Sequence, residues 1–280
     1  MATPLILVTN DDGVAAPGLR ALVEAVHGLG DVLVSAPDGE RSGSGHSMTF
    51  HSMLRARELE PGRWAVSGTP VDCVYFGLMH ISERAPDLVV SGINSGYNLG
   101  TDVFYSGTVG GAAEAFLRGA SAMAISVERG ADGRWARRSV RALAQALLHR
   151  DDQPLLLNVN VPHVPGLENA PPDQIDAETA RQGVMLTRLG RRSYRDAVDR
   201  RTDPLGRPYY WIGGPPGELR GRVGDDTWAV SEGLCSVTPL RLDLTDPDPR
   251  AAEVLLARAD GLRPVSASAY DGPGPEPDPS

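Results

Sequence analysis

The chain has 280 residues, 41% hydrophobic and 22% charged, which is ordinary for a globular protein and enough for one large core with an extension. A formal net charge of −9 argues against a duplex nucleic acid as partner, because such binding depends on neutralising phosphates. No apolar run approaches the ~20 residues that span a bilayer, so no membrane partner is expected.

The opening Met1-Ala2-Thr3-Pro4 lacks the basic region of a signal peptide, and Leu5–Thr9 is too short for its apolar part. A cytoplasmic location is therefore expected. Cys73 and Cys235 lie far apart among apolar neighbours and read as buried thiols.

Leu5-Ile6-Leu7-Val8 is a short apolar run of the kind buried parallel strands show. Leu19, Leu22, Val23 and Val26 then recur at helical spacing, followed by a second strand at Val32–Val34 and an edge strand at Trp64–Val66. Thr69-Pro70-Val71-Asp72 opens a helix: Thr69 caps, Pro70 fits the first helical position, and Asp72 completes a capping box. Leu88–Val90, Met123–Val127 and Leu155–Val159 read as further strands, with helices from Thr108 as cap to Arg118 and over Arg137–His149. This alternation predicts an α/β fold, a doubly wound and mostly parallel sheet over residues 1–165.

Beyond Pro165 the pattern changes. Residues 166–180 are rich in Pro, Asp and Ala and read as a loop. The turn signal Asp203-Pro204-Leu205-Gly206 before Tyr209-Tyr210-Trp211-Ile212 predicts a projecting β-hairpin. A strand over Cys235–Leu240 and a helix near Ala251–Arg258 follow. Residues 166–270 thus form a C-terminal region carrying the hairpin, and the Pro/Gly/Asp/Glu-rich tail 271–280 is expected to be disordered.

Ligands of open α/β sheets bind beyond the carboxyl ends of the strands. After the first strand comes Asn10-Asp11-Asp12-Gly13, where adjacent carboxylates repel unless a cation lies between them. An Asx turn closed by Gly13 is the alternative, although such a turn needs only one Asp. The loop Arg41-Ser42-Gly43-Ser44-Gly45-His46-Ser47 has glycines and hydroxyls suited to an anion nest, with Gly43 among them. His46 is a candidate proton donor, or simply a surface residue.

After Leu88–Val90, Asn94 offers a neutral oxygen to a hard cation, and Ser106-Gly107-Thr108 leads into a helix N-terminus that suits a phosphate. Gly110 and Gly111, costly in a helix, would let backbone approach a ligand. Tyr97, Phe104 and Tyr105 are candidates for stacking on a base, or for sealing the core. The residues alone thus point to a divalent cation on Asp11 and Asp12 beside a phosphate-sized helix terminus.

Several enzyme classes are excluded by residue type. The chain contains no lysine, which receiver domains and Walker-type NTPases require. Asp11 and Asp12 are adjacent rather than Asp-x-Asp, as a haloacid-dehalogenase-type phosphatase would need. Gly13 and Gly18 do not make the Gly-x-Gly-x-x-Gly of dinucleotide binding.

Five blocks in order resemble the SurE family: Thr9-Asn10-Asp11-Asp12-Gly13, Ala36-Pro37 with Arg41-Ser42-Gly43, Gly68–Val74, Ser91-Gly92-Ile93-Asn94 with Gly96, Asn98 and Gly100, and Ser106-Gly107-Thr108-Val109 with Gly111-Ala112. Gly233 to Leu240 resembles its late segment. The resemblance implies a Rossmann-like core and a magnesium- or manganese-dependent 5′-nucleotidase that also acts on 3′-nucleotides. It implies Asp11, Asp12, Ser42 and Asn94 as metal ligands, with Asn98, Ser106, Gly107 and Thr108 lining the phosphate site. It further implies a homodimer or homotetramer built by the hairpin and by exchanged C-terminal elements.

Overall fold

A computed structural model of the chain describes residues 3–131, 133–150, 152–163, 170–179, 181–192, 198–213, 219 and 221–258. Strand β1 (Leu5–Thr9) is buried along its whole length, as a strand covered on both faces must be. Around it lie β2 (Asp31–Pro37), β3 (Ala56–Glu60), β4 (Arg63–Val66), β5 (Leu88–Ser95), β6 (Ser121–Val127) and β7 (Leu156–Val161). Two short strands, β8 (Val184–Leu186) and β11 (Cys235–Leu240), extend the sheet, while β9 (Val198–Thr202) and β10 (Pro208–Ile212) pair, among the described residues, only with each other. The sheet order is β3-β4-β2-β1-β5-β6-β7-β11-β8. Pairing is parallel from β4 through β7 and between β11 and β8; β3 and β11 run antiparallel to β4 and β7.

Side chains alternate between the two faces of the sheet, with the period of two that strands impose. Ile6, Val8, Val90, Met123, Ile125 and Val159 pack with helices α1 (Pro17–Val26) and α4 (Arg137–Leu148). Leu7, Val89, Ala122 and Ala124 pack on the other side with α2 (Pro70–Phe76) and α3 (Gly107–Leu117). The chain steps from β1 outward to β2, then crosses back to lay β5 on the opposite side of β1. That reversal opens a crevice beyond the carboxyl ends of β1 and β5, where α/β sheets bind ligands.

Local rules account for the helix starts. In α2 the Thr69 hydroxyl accepts from the Asp72 amide at 3.2 Å, and Asp72 accepts from the Thr69 amide at 2.8 Å, so the capping box is complete. In α3 the cap is Ser106, whose Oγ accepts from the Val109 amide at 3.1 Å; Thr108, expected as the cap, stands inside the first turn.

Other expectations are corrected. Trp64–Val66 is not an edge strand, because β3 pairs outside it through five exposed residues. The stretch read as a loop over 166–180 contains helix α5 (Pro172–Thr179), anchored by the buried Ile175. A further helix, α6 (Asp226–Ser231), precedes β11. The hairpin stands as expected, its turn closed by the Gly206 amide donating to the Asp203 carbonyl at 2.9 Å.

The chain divides into two compact units, Met1–Leu242 and Asp243–Ser280, so β8 and β11 belong with the core sheet. The second unit carries helix α7 (Arg250–Arg258); the tail 271–280 lies outside the described residues. Among the described residues no helix is long and apolar enough to cross a membrane, and Cys73 and Cys235 are buried and unpaired.

Candidate active site

The turn after β1 is made by Asn10. Its Nδ2 donates to the Gly13 carbonyl at 3.0 Å and its Oδ1 accepts from the Gly13 amide at 3.2 Å. Gly13 has φ +100°, a conformation open to glycine, and sits tight against the Gly39 backbone. Because Asn10 closes the turn, neither Asp11 nor Asp12 has to.

Asp11 is 4% exposed, and both of its oxygens are held by one residue of α3. The Thr108 hydroxyl donates to Oδ1 at 2.5 Å and the Thr108 amide to Oδ2 at 3.2 Å. Asp12 is half-buried, and the Ser95 amide at the end of β5, next to Asn94, lies near enough to pull its carboxyl pKa down slightly. The Asn94 Nδ2 donates to the Gly96 carbonyl at 2.7 Å, so the amide oxygen is the group turned away from that bond. Burial raises the Asp11 carboxyl above its ordinary value against the pull of the Thr108 bonds, and the Glu40 charge adds to the rise. Burial, then the charges of Asp11 and Glu40, push Asp12 up to about 6.

Glu40 is a carboxylate that the sequence reading passed over. It reaches the site in the loop after β2, which is tied down by the Arg41 amide donating to the Asp11 carbonyl at 2.7 Å. Ser42 lies on the same loop and donates its hydroxyl to Glu40 Oε1 at 2.9 Å, leaving oxygen lone pairs for another partner. Gly43, at φ +74°, is exposed. The loop then folds onto α3, where the Gly45 amide donates to the Tyr105 carbonyl at 3.1 Å.

Two glycines of α3 make that approach feasible. A Cβ on Gly107 would meet Ser44 Oγ and Asp11 Cβ, and one on Gly110 would collide with the Gly45 carbonyl oxygen. Gly110 thus makes room for the protein's own loop rather than for a ligand, and Gly111 faces Thr9, Pro70 and Ser91. Ser44, named in the sequence only as one hydroxyl of the candidate nest loop, packs against Gly107 beside Asp11, with its buried hydroxyl lacking a hydrogen-bond partner among the described residues.

Asn98 and His46 are engaged elsewhere. Buried Asn98 donates through Nδ2 to Ser126 Oγ at 2.9 Å and through its amide to Asn160 Oδ1 at 2.8 Å. Its carbonyl accepts from Asn158 and Asn160. The His46 ring points down α3, with Nε2 3.0 Å from Glu114 Oε2. Tyr97 is half-buried, whereas Phe104 and Tyr105 are 61% and 72% exposed where the 45–46 loop meets the start of α3.

Asp11, Ser44, Gly107 and Thr108 therefore meet at one place, with Asp12 and Glu40 near enough for their charges to act on one another; Ser42 is tied to Glu40 and Asn94 to the end of β5. Among the described residues no three His, Cys, Asp or Glu side chains group as metal ligands. A cation here would rest on two carboxylates and neutral oxygens, the all-oxygen set that hard divalent ions accept.

The model of the family "Survival protein SurE" matches residues 6–196. A protein of Geobacter metallireducens described as 5′-nucleotidase SurE is 46% identical over 248 residues, covering 86% of this chain and 92% of the relative. Its namesake in Syntrophotalea carbinolica is 48% identical over 247 residues, with 86% and 93% covered. The crystal structure of the SurE protein of Aquifex aeolicus superposes with a TM-score of 0.75 at 38% identity, covering 91% of this chain and all of that one. With a family match over most of its core and relatives alike over nearly their whole length, the chain belongs to the SurE family.

Proposed function

We propose that this chain is a divalent-metal-dependent 5′-nucleotidase that hydrolyses nucleoside monophosphates to nucleoside and phosphate, with 3′-nucleotides as further substrates. The observation that carries the reading is the pair Asp11–Asp12. Two neighbouring carboxylates are each held above their usual range by burial and crowded by Glu40, and the first lies beside an unpartnered serine hydroxyl packed on a helix start. The curated relatives described as 5′-nucleotidases support the substrate class.

Magnesium or manganese fits this donor set: Asp11, Asp12, Ser42 and Asn94 would hold it. When bound, such an ion polarises a phosphoryl oxygen and lowers the pKa of water. Ser44 Oγ and the N-terminal end of α3 receive the phosphate oxygens, since a helix start favours negative charge. Thr108 keeps Asp11 in one orientation throughout. Asp11 or Asp12 aligns the attacking water and accepts its proton, and a carboxylate committed to a cation is a poor nucleophile for a covalent phosphoenzyme. Phe104 and Tyr105, exposed beside the loop, offer faces for stacking a base. The hairpin β9–β10, exposed along both strands, supports a homodimer or homotetramer, with C-terminal elements exchanged between subunits.

Phosphate release from adenosine 5′- and 3′-monophosphates, with manganese, with magnesium and with a chelator, tests the reading. Metal-dependent release is expected. Saturable nucleotide binding with no release under any metal would make the protein a nonenzymatic nucleotide sensor instead.

A further inference from the structure

Glu114 lies two turns into α3 and is 4% exposed. A carboxylate so buried is costly unless both oxygens are partnered. Oε1 accepts from Arg118 Nε at 2.9 Å, one helical turn away, and the Arg118 guanidinium lies 4.9 Å from the centre of the Tyr75 ring. Oε2 meets His46 Nε2 at 3.0 Å. The Arg118 bond is local to the helix and half open to solvent. The His46 contact joins residues 68 apart in sequence and fastens a different part of the chain onto the helix.

That part is the loop that carries Ser42 and Ser44. Main-chain bonds from Arg41 to Asp11 and from Gly45 to Tyr105 hold its two sides, and the Gly45 carbonyl presses on Gly110. The next residue is His46, and beyond it the exposed Ser47 has its carbonyl bonded by the Thr69 hydroxyl at 2.7 Å, which holds the following chain to α2 rather than to α3. The His46–Glu114 contact is thus the side-chain bond that ties to α3 the end of the segment packing Ser44 Oγ against Gly107 beside Asp11.

We propose that Glu114 is a positioning residue of the phosphate site. Through His46 it holds residues 41–46 down on α3 and so keeps the Ser44 hydroxyl at the helix start. The proposal rests on the nucleotidase reading for its kinetic consequence but not for its structural one.

Three variants of the full chain test it: Glu114→Ala, Glu114→Gln and Arg118→Ala. The measurements are amide hydrogen exchange, and KM and kcat for adenosine 5′-monophosphate with manganese. In Glu114→Ala, exchange at residues 42–46 accelerates about tenfold, as expected for loss of one hydrogen bond to a charged group, while β5, β6 and the rest of α3 stay protected. With manganese saturating, KM rises by about the same factor and kcat changes less, because Ser44 meets the phosphate whereas Ser42 is one of four residues that would hold the cation. Glu114→Gln keeps an acceptor for His46 and restores most of both. Arg118→Ala leaves the loop as in the wild type.

The proposal is overturned by unchanged loop exchange in Glu114→Ala, by protection lost equally across α3 and the sheet, or by Arg118→Ala loosening the loop as much. If Glu114→Ala does not fold, His46→Ala removes the same contact from the exposed side and decides in its place through exchange at residues 42–45. Should the wild type release no phosphate, the nucleotidase reading falls and the exchange comparison still decides whether Glu114 holds the loop.

Discussion

Thr108 grips both oxygens of Asp11, with its hydroxyl on Oδ1 at 2.5 Å and its amide on Oδ2 at 3.2 Å. One residue at the start of α3 thereby fixes the orientation of the carboxylate at the tip of β1. An ionised carboxylate has about four acceptor positions, so two hydrogen bonds leave room for a cation. The helix start thus acts first on Asp11, and its Val109 amide is taken by the Ser106 cap. What remains for a phosphate is the edge formed by Gly107 and Ser44.

Asp11→Asn keeps the shape of the side chain and an acceptor for Thr108, so the fold is retained. It removes the charge that would hold the cation and orient water. We expect kcat for nucleoside monophosphate hydrolysis to drop by on the order of a hundredfold or more with manganese saturating. Turnover near the wild-type rate would remove Asp11 from the mechanism.

Asp12→Asn relieves repulsion among Asp11, Asp12 and Glu40 in the metal-free protein. Its melting temperature without metal is expected to rise at neutral pH, by about 2–4 °C if the gain is roughly 1 kcal/mol. Added manganese then stabilises the variant far less than the wild type, because ligand stabilisation follows affinity. Differential scanning calorimetry with and without manganese reads both effects; a variant that manganese stabilises as strongly as the wild type contradicts the assignment.

The sequence reading was strongest where burial is uniform or capping is local. β1, β5 and β6 are legible because apolar runs covered on both faces look like nothing else. α2 is legible because Thr69 and Asp72 cap it within four residues. β3 was passed over for the opposite reason: Ala56-Arg57-Glu58-Leu59-Glu60 is an exposed edge strand whose charges give no apolar run to mark it. Asp11 and Asp12 stood out as adjacent charges, and an Asx turn closed by Gly13 was legible beside them, but the sequence does not tell which of the three residues makes it; the structure gives it to Asn10. Ser44 could be read only as one hydroxyl among several in its loop, and Glu114 not at all, because their contacts span long separations, Ser44 with Gly107 and Glu114 with His46.

Gly110→Ala sets two effects against each other. Alanine improves helix propensity by about 1 kcal/mol, but its Cβ would collide with the Gly45 carbonyl oxygen, which is backbone and has little freedom to yield. The collision is expected to win, with a net loss of about 1–3 kcal/mol. Thermal denaturation measures it, and a variant more stable than the wild type would mean that the loop lifts off α3 at no cost.

Among the described residues the hairpin β9–β10 has no third strand, and Tyr209, Tyr210, Trp211 and Ile212 are all exposed. Two-stranded ribbons are marginal alone in water and their apolar residues call for a partner surface. Light scattering on the wild type is expected to give a multiple of the chain mass, and Trp211→Glu a smaller species. A monomeric wild type would leave those aromatics without the proposed subunit partner.

The central claim is that Asp11 and Asp12 share a divalent cation. A crystal soaked in manganese and measured near the manganese absorption edge addresses it directly. The account predicts an anomalous peak about 2–2.5 Å from oxygens of both carboxylates. Anomalous density absent there, or present only at other carboxylates of the chain, would contradict it.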